Sequence, residues 1–457
     1  MQAIDSSFRD PSGYIFNKGN KFYRAINNSY RENFDFFESS GLYKNLLDKN
    51  QILSFKKVPQ KNINSNKNLY TVICPDQLRN ISYPYEWCFS QLKDAALLTL
   101  DIQEESMKFN MSLKDASAYN IQFHNGLPVM IDTLSFEKYK EGEPWIAYKQ
   151  FCQHFLAPLL LSAYVDIKSI RLLQLFIDGI SLDYAVKQLP LRSLFRPSIF
   201  MHVYLHAKAQ NINSDKKKLI NKNISKVAIL GLIGSLRSVI MSLNWSPIGT
   251  EWGEYYSDTN YSEISMGTKH QIISDIIDEL DPKVLWDIGG NNGEFTRLAS
   301  NKGIDSILFD IDYAAIEKSY RKTKEENEEN IASFVMDFTN PSPGLGWNNK
   351  ERLSIFNRSN ADIVFGLALI HHLCISNNLP LSFVVTFFLR LTSKYLVIEF
   401  VPKSDSQVKR LLNTREDIFI EYDQQNFENK FLESFLIIKT VQVENSDRII
   451  YLMEKRT

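Results

Sequence analysis

Asp287-Ile-Gly-Gly-Asn-Asn-Gly293 is the stretch that decides the fold of the last part of this chain. It follows the apolar run Val284-Leu-Trp286 and precedes an amphipathic stretch at residues 294–301. An apolar run, a glycine-rich turn and an amphipathic stretch in this order predict a strand, a tight turn and a helix. The three glycines let the backbone turn sharply and let a ligand approach where a Cβ atom would intrude. The pattern therefore predicts a site for a nucleotide-like ligand.

Further apolar strands alternate with helical stretches after Pro247. The strands of this part are predicted at residues 284–288, 306–309, 333–336, 361–367 and 395–400. Continuous apolar strands that alternate with helices indicate a mainly parallel sheet covered by helices on both faces. The predicted fold class is therefore α/β.

Acidic residues follow the predicted strands, at the sheet edge where open α/β sheets bind their ligands. Asp310 ends the second strand, roughly 20 positions beyond the glycine turn, where a carboxylate can accept hydrogen bonds from two ribose hydroxyls. Asp337 follows the third strand and could accept from an exocyclic amine. Asp312 is predicted to cap the helix after the second strand. Asp287 would repel a pyrophosphate, so the site favours a nucleoside that carries a positive group.

The order Asp287-x-Gly289-x-x-x-Gly293, then Asp310, then Asp337 resembles the class I S-adenosylmethionine-dependent methyltransferases over residues 246–457. The resemblance implies a Rossmann-like, mainly parallel sheet of seven strands and S-adenosylmethionine as the cofactor. It places the glycine turn beside the methionine part, Asp310 on the ribose and Asp337 near the adenine. It also implies that the segment before the first strand closes over the cofactor, although its aromatic residues could equally serve packing. The candidate cofactor-binding residues are Asp287, Gly289, Gly290, Gly293, Asp310, Asp337, Tyr261 and Lys269.

The methyl acceptor is predicted to be a small molecule or a glycan-like compound, methylated at oxygen. The stretch Gly366-Leu-Ala-Leu-Ile-His371-His372-Leu-Cys374 lacks the Asn/Asp-Pro-Pro-Tyr pattern of family members that methylate planar nitrogens. His371 or His372 could take a proton from a hydroxyl acceptor, because imidazole titrates near neutral pH. Glu399, which ends the fifth strand, is a second candidate base. A histidine that only shapes the pocket is an equally open interpretation.

Asp115, Asn120 and Asp132 form a second constellation, in the first half of the chain. Phosphoryl transfer needs one carboxylate to orient or deprotonate the acceptor hydroxyl, and an asparagine and an aspartate to hold Mg²⁺ against the phosphates. Asp115 is therefore a candidate catalytic residue, and Asn120 and Asp132 are candidate Mg²⁺ ligands. The alternative is that these three side chains make structural hydrogen bonds around a loop.

This second constellation, with a small sheet and a long helix predicted before it, resembles the catalytic loop and metal aspartate of protein- and sugar-kinase-like folds. The resemblance implies an α+β domain, with a helical extension, that binds Mg²⁺ and ATP. Leu113 stands where the family has histidine, Thr133-Leu134 follows Asp132 in place of Phe-Gly, and no full glycine-rich phosphate loop precedes them. These departures leave three alternatives open: a kinase-like phosphotransferase, a bifunctional kinase and methyltransferase, or a non-catalytic module that binds a substrate or partner.

The chain has 457 residues, more than one hydrophobic core usually organises, so we expect at least two domains. The predicted order is an α+β kinase-like domain at residues 1–215, a helical connector at 216–245 and a methyltransferase domain at 246–457. Over its whole length the chain is also similar to a group of bacterial methyltransferases that includes proteins called nodulation proteins. The matching stretches are residues 81–94, 112–136, 144–160 and 368–380.

Composition disfavours several classes of partner and compartment. The chain carries 52 basic and 53 acidic residues, which gives no support for a broad nucleic-acid-binding surface. Its four cysteines have neither disulfide-like nor metal-ligand spacing and its start lacks a secretory signal, so we expect a cytoplasmic protein. The most apolar window, residues 227–243, is too short for a membrane span and contains Arg237, which predicts a buried helix. The oligomeric state is left open.

Overall fold

The computed structural model describes residues 3–19, 21–59, 68–78, 80–208, 223–250, 262–413 and 416–456. The chain divides into two compact units. The first comprises Met1–Trp245 together with Gly344–Arg352, and the second comprises Ser246–Pro343 and Leu353–Thr457. The short segment Gly344–Arg352 therefore groups with the first unit although both of its flanks belong to the second.

The first unit contains one four-stranded antiparallel sheet, in the order β1-β2-β4-β3, and two two-stranded sheets that pair β5 with β8 and β6 with β7. The small sheet predicted before Asp115 is confirmed. The strands are β1 (Gly13–Lys18), β2 (Lys21–Asn27), β3 (Phe55–Lys57), β4 (Leu69–Pro75), β5 (Met111–Leu113), β6 (Ile121–His124), β7 (Leu127–Met130) and β8 (Phe136–Lys138).

The α-helices of the first unit include one long central helix, α3, whose apolar residues recur at helical spacing without an internal glycine or proline. The long helix predicted before Asp115 is therefore confirmed. The helices are α1 (Arg31–Ser39), α2 (Leu42–Asp48), α3 (Phe89–Lys108), α4 (Tyr148–Phe151), α5 (Ala157–Tyr164), α6 (Leu172–Leu175), α7 (Leu182–Gln188), α8 (Pro197–Ile199) and α9 (Lys226–Ser242).

Helix α9 corrects one expectation from the sequence. Ile233 and Leu236 are buried, but Val227 and Met241 are 78% and 61% exposed. The apolar window therefore forms the predicted helix, but only one face of this helix is buried and the opposite face is exposed. Among the residues that the structure describes, no helix has the length and apolar character that crossing a membrane requires.

The second unit contains a seven-stranded sheet in the order β11-β10-β9-β12-β13-β15-β14. Strands β9 to β13 pair in parallel, and β15 pairs antiparallel with both β13 and β14. The mainly parallel α/β sheet of seven strands is confirmed. The strands are β9 (Val284–Ile288), β10 (Asp305–Asp310), β11 (Ile331–Val335), β12 (Ala361–Gly366), β13 (Thr392–Phe400), β14 (Phe435–Gln442) and β15 (Ile449–Lys455).

Strand β9 lies at the centre of this sheet, between β10 and β12. The strand order reverses at β9, which opens a crevice at the carboxyl ends of the strands. Apolar residues such as Leu285, Phe365 and Val397 pack with those of the covering helices into one buried core. The α-helices of this unit are α10 (Glu263–Leu280), α11 (Glu294–Ser300), α12 (Tyr313–Glu326), α13 (Leu381–Leu391), α14 (Ser406–Leu412) and α15 (Gln424–Leu432).

Candidate functional site

The glycine turn after β9 leads directly into α11, as predicted. A Cβ atom on Gly290 would lie 2.5 Å from the carboxyl carbon of Asp287 and 2.6 Å from a methyl group of Leu308. Gly293 has a φ of +86° and begins α11 from the left-handed region. Both positions therefore require glycine, one because of close packing and the other because of its backbone conformation.

A cavity of about 300 Å³ lies at the carboxyl ends of β9, β10, β11 and β12. The structure brings seven of the predicted residues to its wall, and among the described residues Gly293, His371 and Glu399 do not reach it. Tyr261 lies outside the described residues. The predicted residues that line the cavity are Lys269, Asp287, Gly289, Gly290, Asp310, Asp337 and His372.

The carboxylate of Asp310 is held in a fixed orientation at the end of β10. It accepts hydrogen bonds from the backbone N–H groups of Asn291 and Asp312, both at 2.8 Å. Burial raises the pKa of Asp310 to about 6, against the lowering effect of these two bonds. Asp312 accepts from the N–H groups at the start of α12, so its predicted role as a helix cap is confirmed. A carboxylate fixed in this way is suited to accept hydroxyl groups of a ligand.

Asp337 follows β11 and lines the same cavity. Its Oδ1 accepts hydrogen bonds from the N–H group and the hydroxyl of Thr339, at 2.9 and 2.6 Å. These bonds fix the loop after β11 around the carboxylate. Asp310 and Asp337 thus present two oriented acceptors at neighbouring strand ends.

Asp287 is the buried carboxylate at the base of the glycine turn. Its Oδ2 accepts a hydrogen bond of 2.6 Å from the hydroxyl of Thr296, while its Oδ1 has no hydrogen-bond partner among the described residues. Burial raises the pKa of Asp287 to about 6. A buried carboxylate oxygen without a partner is costly, and a donor on a ligand in the cavity would remove that cost.

The Asp287→Asn variant should be more stable than the wild-type chain near neutral pH and equally stable near pH 4. Burial raises the pKa of Asp287 from 3.8 to about 6, so the folded state binds this proton more tightly than the unfolded chain does. The stability that the proton provides is fully present below the unfolded-state pKa and is lost as the pH rises through about 6. The neutral variant avoids that loss of roughly 3 kcal/mol in the free energy of unfolding. Urea unfolding at acidic and neutral pH measures the difference; a difference that does not depend on pH contradicts the expectation.

A buried ionic network lies behind the cavity wall. The Nζ atom of Lys269 donates to Oε2 of Glu399 at 2.7 Å, and Oε1 of Glu399 lies 3.9 Å from Nη1 of Arg448. Arg448 in turn pairs with Asp405 at 2.8 Å. Glu399 is fully buried in this network. The structure therefore places Glu399 as the partner of two cations, away from the cavity at which it was predicted to act as a base.

The two adjacent histidines differ in their access to the cavity. His372 lines it, whereas His371 is buried outside it with its Nδ1 unpartnered among the described residues. Burial, followed by the positive charge of Arg448, lowers the pKa of His372 to about 4, and burial also lowers the pKa of His371. Both imidazoles are therefore neutral near pH 7, and their lowered pKa values make them weak bases.

The structure also brings Asp115, Asn120 and Asp132 together, in a cavity of about 290 Å³ in the first unit. The side chain of Arg24, from β2, is hydrogen-bonded to Asp132 within this cavity. Sequence reasoning missed Arg24, because residues 24 and 132 become neighbours only after the chain has folded. It also missed Arg448; a charge that directly precedes the apolar run of β15 was the available signal.

Comparisons with known proteins identify a relative over nearly the whole chain. No family model matches the chain. The nodulation protein NoeA of Rhizobium meliloti (strain 1021) is 31% identical over 461 residues, which cover 99% of this chain and 96% of that protein.

Two solved structures align with lower identity. The N-methyltransferase NodS from Bradyrhizobium japonicum WM9, in complex with S-adenosyl-L-homocysteine, is 14% identical with a TM-score of 0.32, covering 44% of this chain and 92% of that chain. The magnesium protoporphyrin IX methyltransferase ChlM from Synechocystis PCC 6803 is 15% identical with a TM-score of 0.31. The alignment covers 44% of this chain and 91% of that chain.

Proposed function

The chain belongs to the family of the nodulation protein NoeA, and from that premise we propose that it is an S-adenosylmethionine-dependent methyltransferase acting at oxygen on a small-molecule or glycan-like acceptor. The supporting observation is the cavity in which the glycine turn, Asp310 and Asp337 meet at the carboxyl ends of the sheet. Three carboxylates, those of Asp287, Asp310 and Asp337, line this cavity. Such a lining disfavours a pyrophosphate and favours a nucleoside with a positively charged group.

The residues of the cavity fit the parts of S-adenosylmethionine. In the proposal, Asp310 accepts from the ribose hydroxyls and Asp337 accepts from the adenine amine. The unpartnered Oδ1 of Asp287 faces the positively charged methionine part, and the turn formed by Gly289, Gly290 and Gly293 lets that part approach the backbone. Lys269 and Tyr261 complete the proposed cofactor-binding set.

When bound, the cofactor supplies an electrophilic methyl group on a good leaving group. Orienting the acceptor towards that methyl group is then the main task of the protein. Of the three candidate bases, His371, His372 and Glu399, we favour His372, because among them it alone lines the cavity. His371 and Glu399 support the wall behind it.

Calorimetric titration tests the cofactor assignment. We expect S-adenosylhomocysteine to bind the wild-type chain with a dissociation constant in the range of about 1 µM to 1 mM, typical of small-substrate sites. NAD⁺, which carries the disfavoured pyrophosphate, is the matched control and should give no heat of binding. Binding of NAD⁺ as tight as that of S-adenosylhomocysteine, or no binding of either, would refute the proposal.

A kinase-like phosphotransferase is the alternative for the first unit, alone or in a bifunctional kinase and methyltransferase. The observation in its favour is that Asp115, Asn120 and Asp132 line one cavity. Asp115 would act on the acceptor hydroxyl, and Asn120 and Asp132 would hold Mg²⁺. A non-catalytic module that binds a substrate or partner is the further alternative.

We also retain as proposals the limits of the three domains, at residues 1–215, 216–245 and 246–457, and the cytoplasmic location.

A further inference from the structure

Hydrogen bonds within the first unit already engage both carboxylate oxygens of Asp132. Its Oδ1 accepts from the guanidinium of Arg24 and from the N–H group of Leu134, and its Oδ2 accepts from the hydroxyl of Ser135. Asn120 donates its amide to the same Ser135 hydroxyl at 3.1 Å. Mg²⁺ requires several oxygen ligands in near-octahedral geometry, and here a guanidinium takes the position of the cation. No group of three or more candidate metal ligands occurs among the described residues.

Displacing Arg24 would be unfavourable. The side chains of Arg24 and Asp132 are 15% and 13% exposed, so the pair is largely buried. Breaking a buried pair leaves an uncompensated charge, which costs several kcal/mol. The residues present therefore do not fit Mg²⁺, and with it they do not fit a metal-bound nucleoside triphosphate.

The charge of the cavity also disfavours a polyanion. Five carboxylates and three guanidinium groups line it. Burial, followed by the positive charge of Arg352, lowers the pKa of His154 to about 4, so this imidazole adds no positive charge at neutral pH. A phosphate-rich ligand without a metal would meet an excess of negative charge. The electrostatics therefore disfavour an anionic ligand.

Three buried polar atoms in the cavity wall lack hydrogen-bond partners among the described residues: Nδ1 of His154, Nε of Arg352 and the hydroxyl oxygen of Tyr119. His154 is 3% exposed and its Nδ1 has no hydrogen-bond partner among the described residues. Arg352, from the segment Gly344–Arg352, places its guanidinium 4.1 Å from the ring centre of Tyr119, and its Nε is likewise unpartnered. The neighbouring Glu351 forms an ion pair with Arg9, in which Oε1 of Glu351 lies 2.5 Å from Nε of Arg9. This ion pair holds the segment in the cavity wall.

Hydroxyl groups suit these unpartnered atoms, because each hydroxyl donates one hydrogen bond and accepts others. It can donate to an imidazole nitrogen or a carboxylate and accept from a guanidinium or an amide. We propose that this cavity of the first unit binds an uncharged polyhydroxylated ligand, a sugar or a cyclitol, without a metal ion, and that His154 and Arg352 recognise its hydroxyl groups. The volume of about 290 Å³ is close to the lower end of small-molecule sites, which suits one sugar ring.

Saturation-transfer NMR tests this site with methyl β-D-glucoside, myo-inositol and a glucose tetrasaccharide as probes, each in EDTA and again in Mg²⁺. We expect at least one probe to bind in EDTA with unchanged affinity in Mg²⁺. The tetrasaccharide distinguishes the end of a glycan chain from a free monosaccharide. Arg352→Met retains the aliphatic stem but removes the donor, and His154→Phe removes the acceptor. Each should weaken binding about tenfold, as expected for an unsatisfied polar group.

Lys350→Met is the matched control, because Lys350 lies in the same segment but pairs with Asp5 at the surface, and it should bind as the wild type does. If Arg352→Met does not fold, judged by circular dichroism, His154→Phe carries the test. The proposal is overturned if no probe binds, if binding requires Mg²⁺, or if both variants bind normally. Thermal stabilisation by Mg²⁺ with ATP that is lost in Asp132→Ala would also overturn it and would favour the phosphotransferase. Binding here does not depend on methyl transfer, so failure of one proposal leaves the other intact.

Discussion

Asp310→Ala should bind S-adenosylhomocysteine at least roughly a hundredfold more weakly than the wild-type chain, the largest effect that we expect on cofactor binding. Two backbone N–H groups at 2.8 Å fix this carboxylate in the cavity wall. Each hydrogen bond from a ribose hydroxyl to a charged acceptor contributes on the order of 1.5 to 3 kcal/mol. Loss of both bonds therefore corresponds to two or more orders of magnitude in affinity.

Calorimetry measures this effect, with Asp312→Ala as the matched control. Asp312 caps α12 and does not line the cavity. Its removal should lower stability by about 1 kcal/mol, as expected for a lost helix cap, but should leave the affinity unchanged. Asp310→Ala should instead lose affinity for S-adenosylhomocysteine, which distinguishes it from the control. If Asp310→Ala binds S-adenosylhomocysteine as tightly as the wild-type chain does, the assignment of Asp310 to the ribose hydroxyls is refuted.

Glu399→Leu should lower the free energy of unfolding by about 3 to 5 kcal/mol, which is the largest effect that we expect on stability. The substitution leaves the ammonium of Lys269 buried without the carboxylate that it contacts at 2.7 Å. Arg448 retains its pairing with Asp405 and is less affected. For a unit of this size the change corresponds to a decrease in melting temperature of roughly 10 °C.

A double-mutant cycle with Lys269→Met separates this electrostatic effect from a packing effect. The double variant Lys269→Met/Glu399→Leu replaces the buried pair by apolar groups and should recover most of the lost stability. If Glu399 acted as a catalytic base in place of pairing with Lys269, the single variant would lose activity without a change in melting temperature. A stability loss that is the same in the single and double variants would contradict the ion-pair assignment.

Strands β9 to β13 of the second unit could be predicted from the sequence because their signals are local. The run at β9 is apolar and ends at a turn that requires glycine, so strand, turn and helix are specified within about fifteen consecutive residues. The parallel arrangement then brings the strand ends to one edge of the sheet. That rule is why Asp287, Asp310 and Asp337 could be expected in one cavity before the structure was known.

The orientation of charged side chains within those strands could not be predicted in the same way. A strand that is buried on both faces has no alternation of polar and apolar residues to show which side a residue faces. Glu399 looked like a rim residue from its place at the end of β13, yet it lies in the buried network with Lys269. His371 and His372 are adjacent in sequence, and only the turn after β12 decides that His372 reaches the cavity.

The sequence by itself determined the α/β sheet, its glycine turn and the acidic residues at the strand ends, because each depends on short-range pattern and on a general rule of parallel sheets. It also grouped Asp115, Asn120 and Asp132. Only the tertiary structure decided that Arg24 neutralises Asp132 and that Arg352 reaches the cavity of the first unit. Ion pairs and cavity walls join residues that are far apart along the chain, and no local pattern encodes such a contact. Arg24 and Asp132 are separated by 108 positions in sequence.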